Sequence, residues 1–190
     1  MSLLIIGLVL FLGIHSVLIF APAWRDRQVA QRGEGAWKGL YTVVSLIGFG
    51  LLVVGYGVAR QSPVVLYTPP TALRHLTLLL MLPVFPLLLA AYLPGRIKTA
   101  AKHPMLVVIK LWALSHLLVN GNLADVLLFG GFLAWAVADR ISLKRRVARA
   151  VPGAPAGAMN DAIVVVGGLA LYAVFLFWAH RWLIGVSPLS

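Results

Sequence analysis

Five histidines and no cysteine stand in this 190-residue chain, so imidazole is its main ligand for a transition metal. Disulfides, thiolate metal sites, cysteine catalysis and cysteine-ligated iron–sulfur clusters are all excluded. The acidic residues are Asp26, Glu34, Asp125, Asp139 and Asp161. None falls in the middle of an apolar run, which leaves no paired-carboxylate site and no proton relay through Asp or Glu. No phosphate loop, catalytic triad or metalloprotease motif is present.

His15 and His116 are the histidines inside apolar runs, in Leu12-Gly13-Ile14-His15-Ser16 and Trp112-Ala113-Leu114-Ser115-His116-Leu117-Leu118. A single buried histidine is ordinarily hydrogen-bonded to a neighbouring helix. Two on separate helices admit a shared ligand, and imidazole is the usual axial ligand of membrane haem. Trp112, His116 and Asn120 recur at four-residue spacing and share one helix face, with Ser115 and Asn120 available for supporting hydrogen bonds. His75 and His180 adjoin Arg74 and Arg181 and read as interfacial residues. His103, beside Pro104, either fixes a helix start or binds a ligand. Asn120, Asn122 and Asp125 form a polar cluster in which the asparagines serve as helix caps.

The elements that position these groups follow from hydropathy. The chain is 61% hydrophobic and only 11% charged, and its mean hydropathy of +0.96 makes lipid its expected solvent. Continuous apolar runs predict an all-α polytopic membrane bundle of about six helices. The predicted spans are Ser2 to Pro22, Lys38 to Val58, His75 to Leu93, Pro104 to Asn120, Leu123 to Ala138 and Ala162 to Ile184. The fourth and fifth form a tight hairpin turning at Asn120-Gly121-Asn122. The first lacks a basic leader and a good cleavage site, so it reads as an uncleaved helix.

Charge orients the bundle. Arg25, Arg27, Arg32 and Lys38 follow the first span, Arg96, Lys98 and Lys102 the third, and Arg140, Lys144, Arg145, Arg146 and Arg149 the fifth. The positive-inside rule places these loops in the cytoplasm and both termini outside it (N-out/C-out). The net charge of +11 is thereby assigned to anionic lipid headgroups and not to nucleic acid. One membrane domain, residues 1–190, is expected: a five-helix body 1–139, a basic then Pro/Gly-rich flexible loop 139–161, and a sixth, lipid-facing helix 162–184. Gly48, Gly50, Gly55 and Gly57, with Gly130-Gly131, either allow close helix packing or make room for a flat cofactor or a long apolar substrate.

Several of these residues together resemble the bacterial NnrU family. They are His15-Ser16; Tyr41 with Ser45 and Gly48; Tyr56 with Ala59-Arg60; His103-Pro104; Trp112-Ala113 through His116-Leu117-Leu118 with Asn120-Gly121; and Leu128 to Ala136. The likeness covers about residues 10–139. It implies a link to denitrification and nitric-oxide metabolism. The chain is also similar to plant and algal zeta-carotene isomerase, a haem-b membrane protein. That similarity implies haem b here, with His15 and His116 as iron ligands and His103 matching a third histidine.

On that model His15 lies ~10 Å from the cytoplasmic end of its helix and His116 ~18 Å from its own, a gap of ~8 Å that tilt or a sloping haem must absorb. Haem propionates need Arg or Lys at a membrane face. The basic inner face offers Arg25 or Arg96, while the depth of His116 offers Arg60 on the outer face. The leading expectation is a haem-binding inner-membrane protein of denitrification or nitric-oxide metabolism. The alternatives are a haem-dependent cis–trans isomerase of a polyene or other hydrophobic small molecule, a membrane methyltransferase suggested by Lys102-His103-Pro104, and a cofactor-free accessory protein.

Overall fold

Proline, glycine and serine set where the apolar runs break. A computed structural model of the protein describes residues 1–146 and 153–189. Arg149 of the basic loop and Val151 and Pro152 of the Pro/Gly-rich stretch lie outside the described residues. Among those described, regular structure is helical throughout, beside one isolated bridge between Val65 and Asn122. In chain order the helices are α1 (Ser2–His15), α2 (Val17–Phe20), α3 (Pro22–Ala59), α4 (Leu73–Met81) and α5 (Val84–Tyr92). There follow α6 (Arg96–Ala101), α7 (Pro104–Leu117), α8 (Leu123–Ser142), α9 (Asn160–Val174) and α10 (His180–Ile184), with a π-helical turn at Phe175–Ala179 before the last.

Among the described residues three helices, not six, are long and apolar enough to cross a membrane: Pro22–Ala59, the α4–α5 run Leu73–Tyr92, and Asn160–Ile184. The first expected span is cut at its serine, where the Ser16 hydroxyl donates to the Leu12 carbonyl at 2.6 Å, and again at Ala21 (φ −139°, ψ 50°). That leaves α1 with 14 residues, or ~21 Å against a hydrocarbon core of ~30 Å. The α7 helix also has only 14 residues, because the chain leaves the helix before Asn120. Although α8 has 20 residues, Asp125, Asp139 and Arg140 lie within it. The N-out/C-out expectation depended on the even count and goes with it.

The chain divides into two units, Met1–Pro69 with Asn120–Val147, and Pro70–Val119 with Ala148–Ser190. In the first, α1 packs closely along α3. A Cβ at Gly7 would meet the Leu52 backbone nitrogen at 2.6 Å, one at Gly48 would meet the Phe11 nitrogen at 2.7 Å, and one at Gly55 would strike the Leu4 backbone. Gly50 and Gly57 face open space. Packing therefore accounts for Gly48 and Gly55. The α3 helix folds at Gly33, whose φ of 82° suits only glycine. Trp24 and Trp37, on either side of that break, come within 5.8 Å between ring centres.

The chain is non-helical from residue 118 to 122, between α7 and α8, and an extended segment docks on Asn120–Leu123. Leu66 N–H donates to the Gly121 carbonyl at 2.9 Å, Leu123 N–H to Val64 at 2.8 Å, and the Tyr67 hydroxyl to the Asn120 carbonyl at 2.9 Å. A Cβ at Gly121 would collide with the Tyr67 carbonyl. In the second unit, α5 packs on α7 and α9. The Gly168 Cα faces the Pro86 backbone with no room for a side chain. The Asp161 carboxylate accepts from the Arg96 and Ile97 N–H groups at 2.9 and 3.1 Å, capping α6.

Candidate functional site

The first histidine ends α1. Its Nδ1 lies 2.6 Å from the Phe11 carbonyl, one turn back. A carbonyl only accepts, so Nδ1 carries the hydrogen, and Nε2 of the neutral ring carries the lone pair. Phe11 stacks on the imidazole at 4.2 Å, Tyr41 of α3 lies at 5.0 Å and Trp135 of α8 meets it edge-on at 6.1 Å. Three helices of the first unit thus converge on His15. The Trp135 indole Nε1 is buried there without a hydrogen-bond acceptor.

His116 sits one residue before the end of α7 and repeats the posture, with Nδ1 2.8 Å from the Trp112 carbonyl. Trp112 flanks the ring at 5.5 Å. The neighbouring Ser115 is fully buried, its carbonyl accepting from the Thr77 hydroxyl at 3.1 Å, while its own Oγ has no hydrogen-bond partner. Asn120, expected on the same helix face, lies past the end of α7 and is used by Tyr67 instead. His15 belongs to the first unit and His116 to the second.

The remaining candidates sort by contact. His103 starts α7 through its backbone: its carbonyl accepts from Leu106 and Val107 at 3.1 and 3.2 Å. Lys102 before it has φ 59°, ψ −50°, and His103 N–H reaches back to the Ala101 carbonyl at 2.6 Å, a tight γ-turn under strain. His75 is exposed. His180 is half-buried: its Nδ1 lies 2.7 Å from the Val186 carbonyl, and its ring stands 6.4 Å from that of His116. Sequence reasoning missed this neighbour because hydropathy placed His180 at an interface, and nothing in the sequence announces the π turn before it.

Of the basic candidates, Arg25 pairs with Asp26 at 3.1 Å and lies over the Trp37 ring at 5.9 Å. Arg60 lies over the Tyr56 ring at 5.6 Å. Arg96 opens α6 on the Asp161 carboxylate. His15 and His116 each present an imidazole that could serve a metal. Both are oriented by main-chain carbonyls, in the way a second-shell partner fixes a metal-binding histidine, with a buried indole N–H beside one of them.

An all-α protein with three helices of membrane-crossing length and imidazoles on two of its shorter helices is the class that emerges. The chain belongs to the NnrU family, whose model (NnrU protein) matches residues 3–188. The match extends past residues 10–139 to take in α9 and α10. No curated protein and no solved structure matches the chain.

Proposed function

We propose that this NnrU-family chain is a haem-binding, multi-pass protein of the bacterial cytoplasmic membrane that serves denitrification or nitric-oxide metabolism. The observation that carries the reading is the shared posture of His15 and His116. Each donates Nδ1–H to the carbonyl one turn back, which makes Nε2 the ligand nitrogen and fixes the ring against rotation. Haem held there would supply one-electron chemistry or, with one imidazole displaced, a place for a diatomic gas. The chain's part would be to present oriented imidazoles, with Phe11, Tyr41 and Trp135 around His15 and Trp112 beside His116.

Lipid as the surrounding solvent is supported by Leu46, Phe49 and Val53 on α3 and Val166 on α9, all more than half exposed. Trp178 and Trp182, stacked at 5.7 Å and outward-facing, suit a headgroup belt. The test has two parts. The chain should stay in the membrane fraction through alkaline carbonate washing, and the detergent-purified protein should show a Soret band with sharp reduced bands. A full-length protein that stays colourless after haemin is added overturns the haem reading, and release by carbonate overturns the membrane one.

A further inference from the structure

We propose that the elbow of α3 at Gly33 binds the headgroup phosphate of an anionic phospholipid, an inference that rests on the reading of the chain as a membrane protein. Gly33 breaks the helix with φ 82° and ψ 157°, and the faces on its two sides come together. Trp24, Gln28 and Arg32 recur at four-residue spacing and share the face before the break. Ala36, Trp37 and Leu40 supply the face after it. The Trp24 and Trp37 rings meet at 5.8 Å, and the Arg25 guanidinium lies over Trp37 at 5.9 Å. Deeper in the elbow, Gln28, Arg32, Ala36, Trp37 and Leu40 line a cavity of about 150 Å³.

The lining sets the chemistry of the ligand. It holds a guanidinium, a carboxamide and the apolar surface of an indole, a leucine and an alanine, with no carboxylate. Both acidic residues of the stretch face other cations: Asp26 pairs with Arg25 and Glu34 with Lys38, each at 3.1 Å. Arg32 is thereby left for an anion from outside, and its planar fork suits the paired oxygens of a phosphate. The Gln28 amide adds a further N–H donor. The cavity is far larger than the ~10–15 Å³ that holds one water, so it admits a group of this size.

Position along the chain selects a lipid over a soluble phosphate. Residues 25–38 hold Arg25, Arg27, Arg32 and Lys38 against Asp26 and Glu34, whereas residues 39–59 carry no Asp, Glu, Lys or Arg. The elbow therefore lies where the apolar span meets its charged lead-in, which is the level of phospholipid headgroups. Trp24 and Leu40 are both exposed. The first suits the headgroup layer, and the second, one turn into the span, suits an acyl chain. The surplus of cations over carboxylates favours a headgroup of net negative charge and disfavours a zwitterionic one, whose ammonium it repels.

The full-length protein in a neutral detergent is titrated with phosphatidylglycerol and, separately, with phosphatidylcholine, and bound lipid is counted by native mass spectrometry. We expect a tight equivalent of phosphatidylglycerol that phosphatidylcholine does not match. Arg32→Gln should weaken it about tenfold. Arg32→Lys should fall between the two, because it keeps the charge and loses the fork. Arg27→Gln, which removes the same charge away from the cavity, should leave binding unchanged. Arg32 is exposed, so its variants test the site without disturbing the fold. Equal losses in Arg27→Gln and Arg32→Gln would mean diffuse attraction to the basic stretch and overturn the site. Displacement of the lipid by inorganic phosphate, or equal binding of the two lipids, overturns it as well. Release by carbonate sinks the membrane reading beneath it, whereas a chain that stays in the membrane and shows no Arg32 dependence sinks the elbow site alone.

Discussion

The Tyr56 hydroxyl donates to the Asp125 carboxylate at 2.6 Å, joining α3 to α8 across a separation of 69 residues. Asp125 is 2% exposed and also accepts from the backbone N–H and the side-chain amide of Asn122, at 3.2 and 2.9 Å. Three donors around one buried carboxylate are what keep it from being an unpaired charge. Tyr56→Phe removes one of them and should cost about 1.5–3 kcal/mol, read as an earlier thermal unfolding transition in detergent. An unchanged transition would show that the carboxylate is held by Asn122 alone.

Glycines that look alike in the sequence should behave oppositely. Gly48→Val and Gly55→Val force a side chain into the α1 backbone, and each should separate the α1–α3 pair at a cost of several kcal/mol, beyond the ~1–3 kcal/mol of ordinary overpacking. Gly50→Ala and Gly57→Ala add a methyl to open space and should stabilise α3 by about 0.5–1 kcal/mol. Fluorescence-detected size exclusion after heating ranks all four. Equal losses across the set contradict the packing described for α1 and α3.

Gly121 has no unusual torsion to explain it, and the Tyr67 carbonyl does. Gly121→Ala should lift the 64–67 segment off the turn and expose it to limited proteolysis, while Asn120→Ala, which keeps the carbonyl that Tyr67 uses, should not. Protection of the segment in Gly121→Ala would refute the docking.

For the haem reading, His15→Ala and His116→Ala should each lower haem retention and change the spin state, whereas His75→Ala should leave the absorbance spectrum as it is. Normal spectra in both of these variants remove His15 and His116 as ligands.

A haem on His15 also sets the propionate partner. Arg25 lies over Trp37, one turn from Tyr41 and its His15 contact, whereas Arg60 stands nineteen residues beyond Tyr41 on the same helix, ~28 Å away. Arg25→Gln should weaken haem affinity about tenfold, and Arg60→Gln should not. The reverse pattern, measured by haemin titration, would mean that the haem is not carried by His15.

Hydropathy alone was enough to read an all-helical chain with helices of membrane-crossing length, and short motifs were enough to read its family and the helix start at Asn122. Those features follow from local apolar runs and short motifs, which need no partner to be recognised. The length of each helix was decided at single positions, Ser16, Ala21 and Gly33, where a side-chain bond or a backbone torsion ends a run that hydropathy reads as continuous. Tyr56 with Asp125, Gly48 with Phe11 and His116 with His180 are pairs distant in sequence. Hydropathy assigns each residue a depth but not a neighbour, so it set His180 apart from His116. Only the packing of α7 and α9 on the α4–α5 run, with a π turn before the end of the last helix, brought the two rings within 6.4 Å of each other.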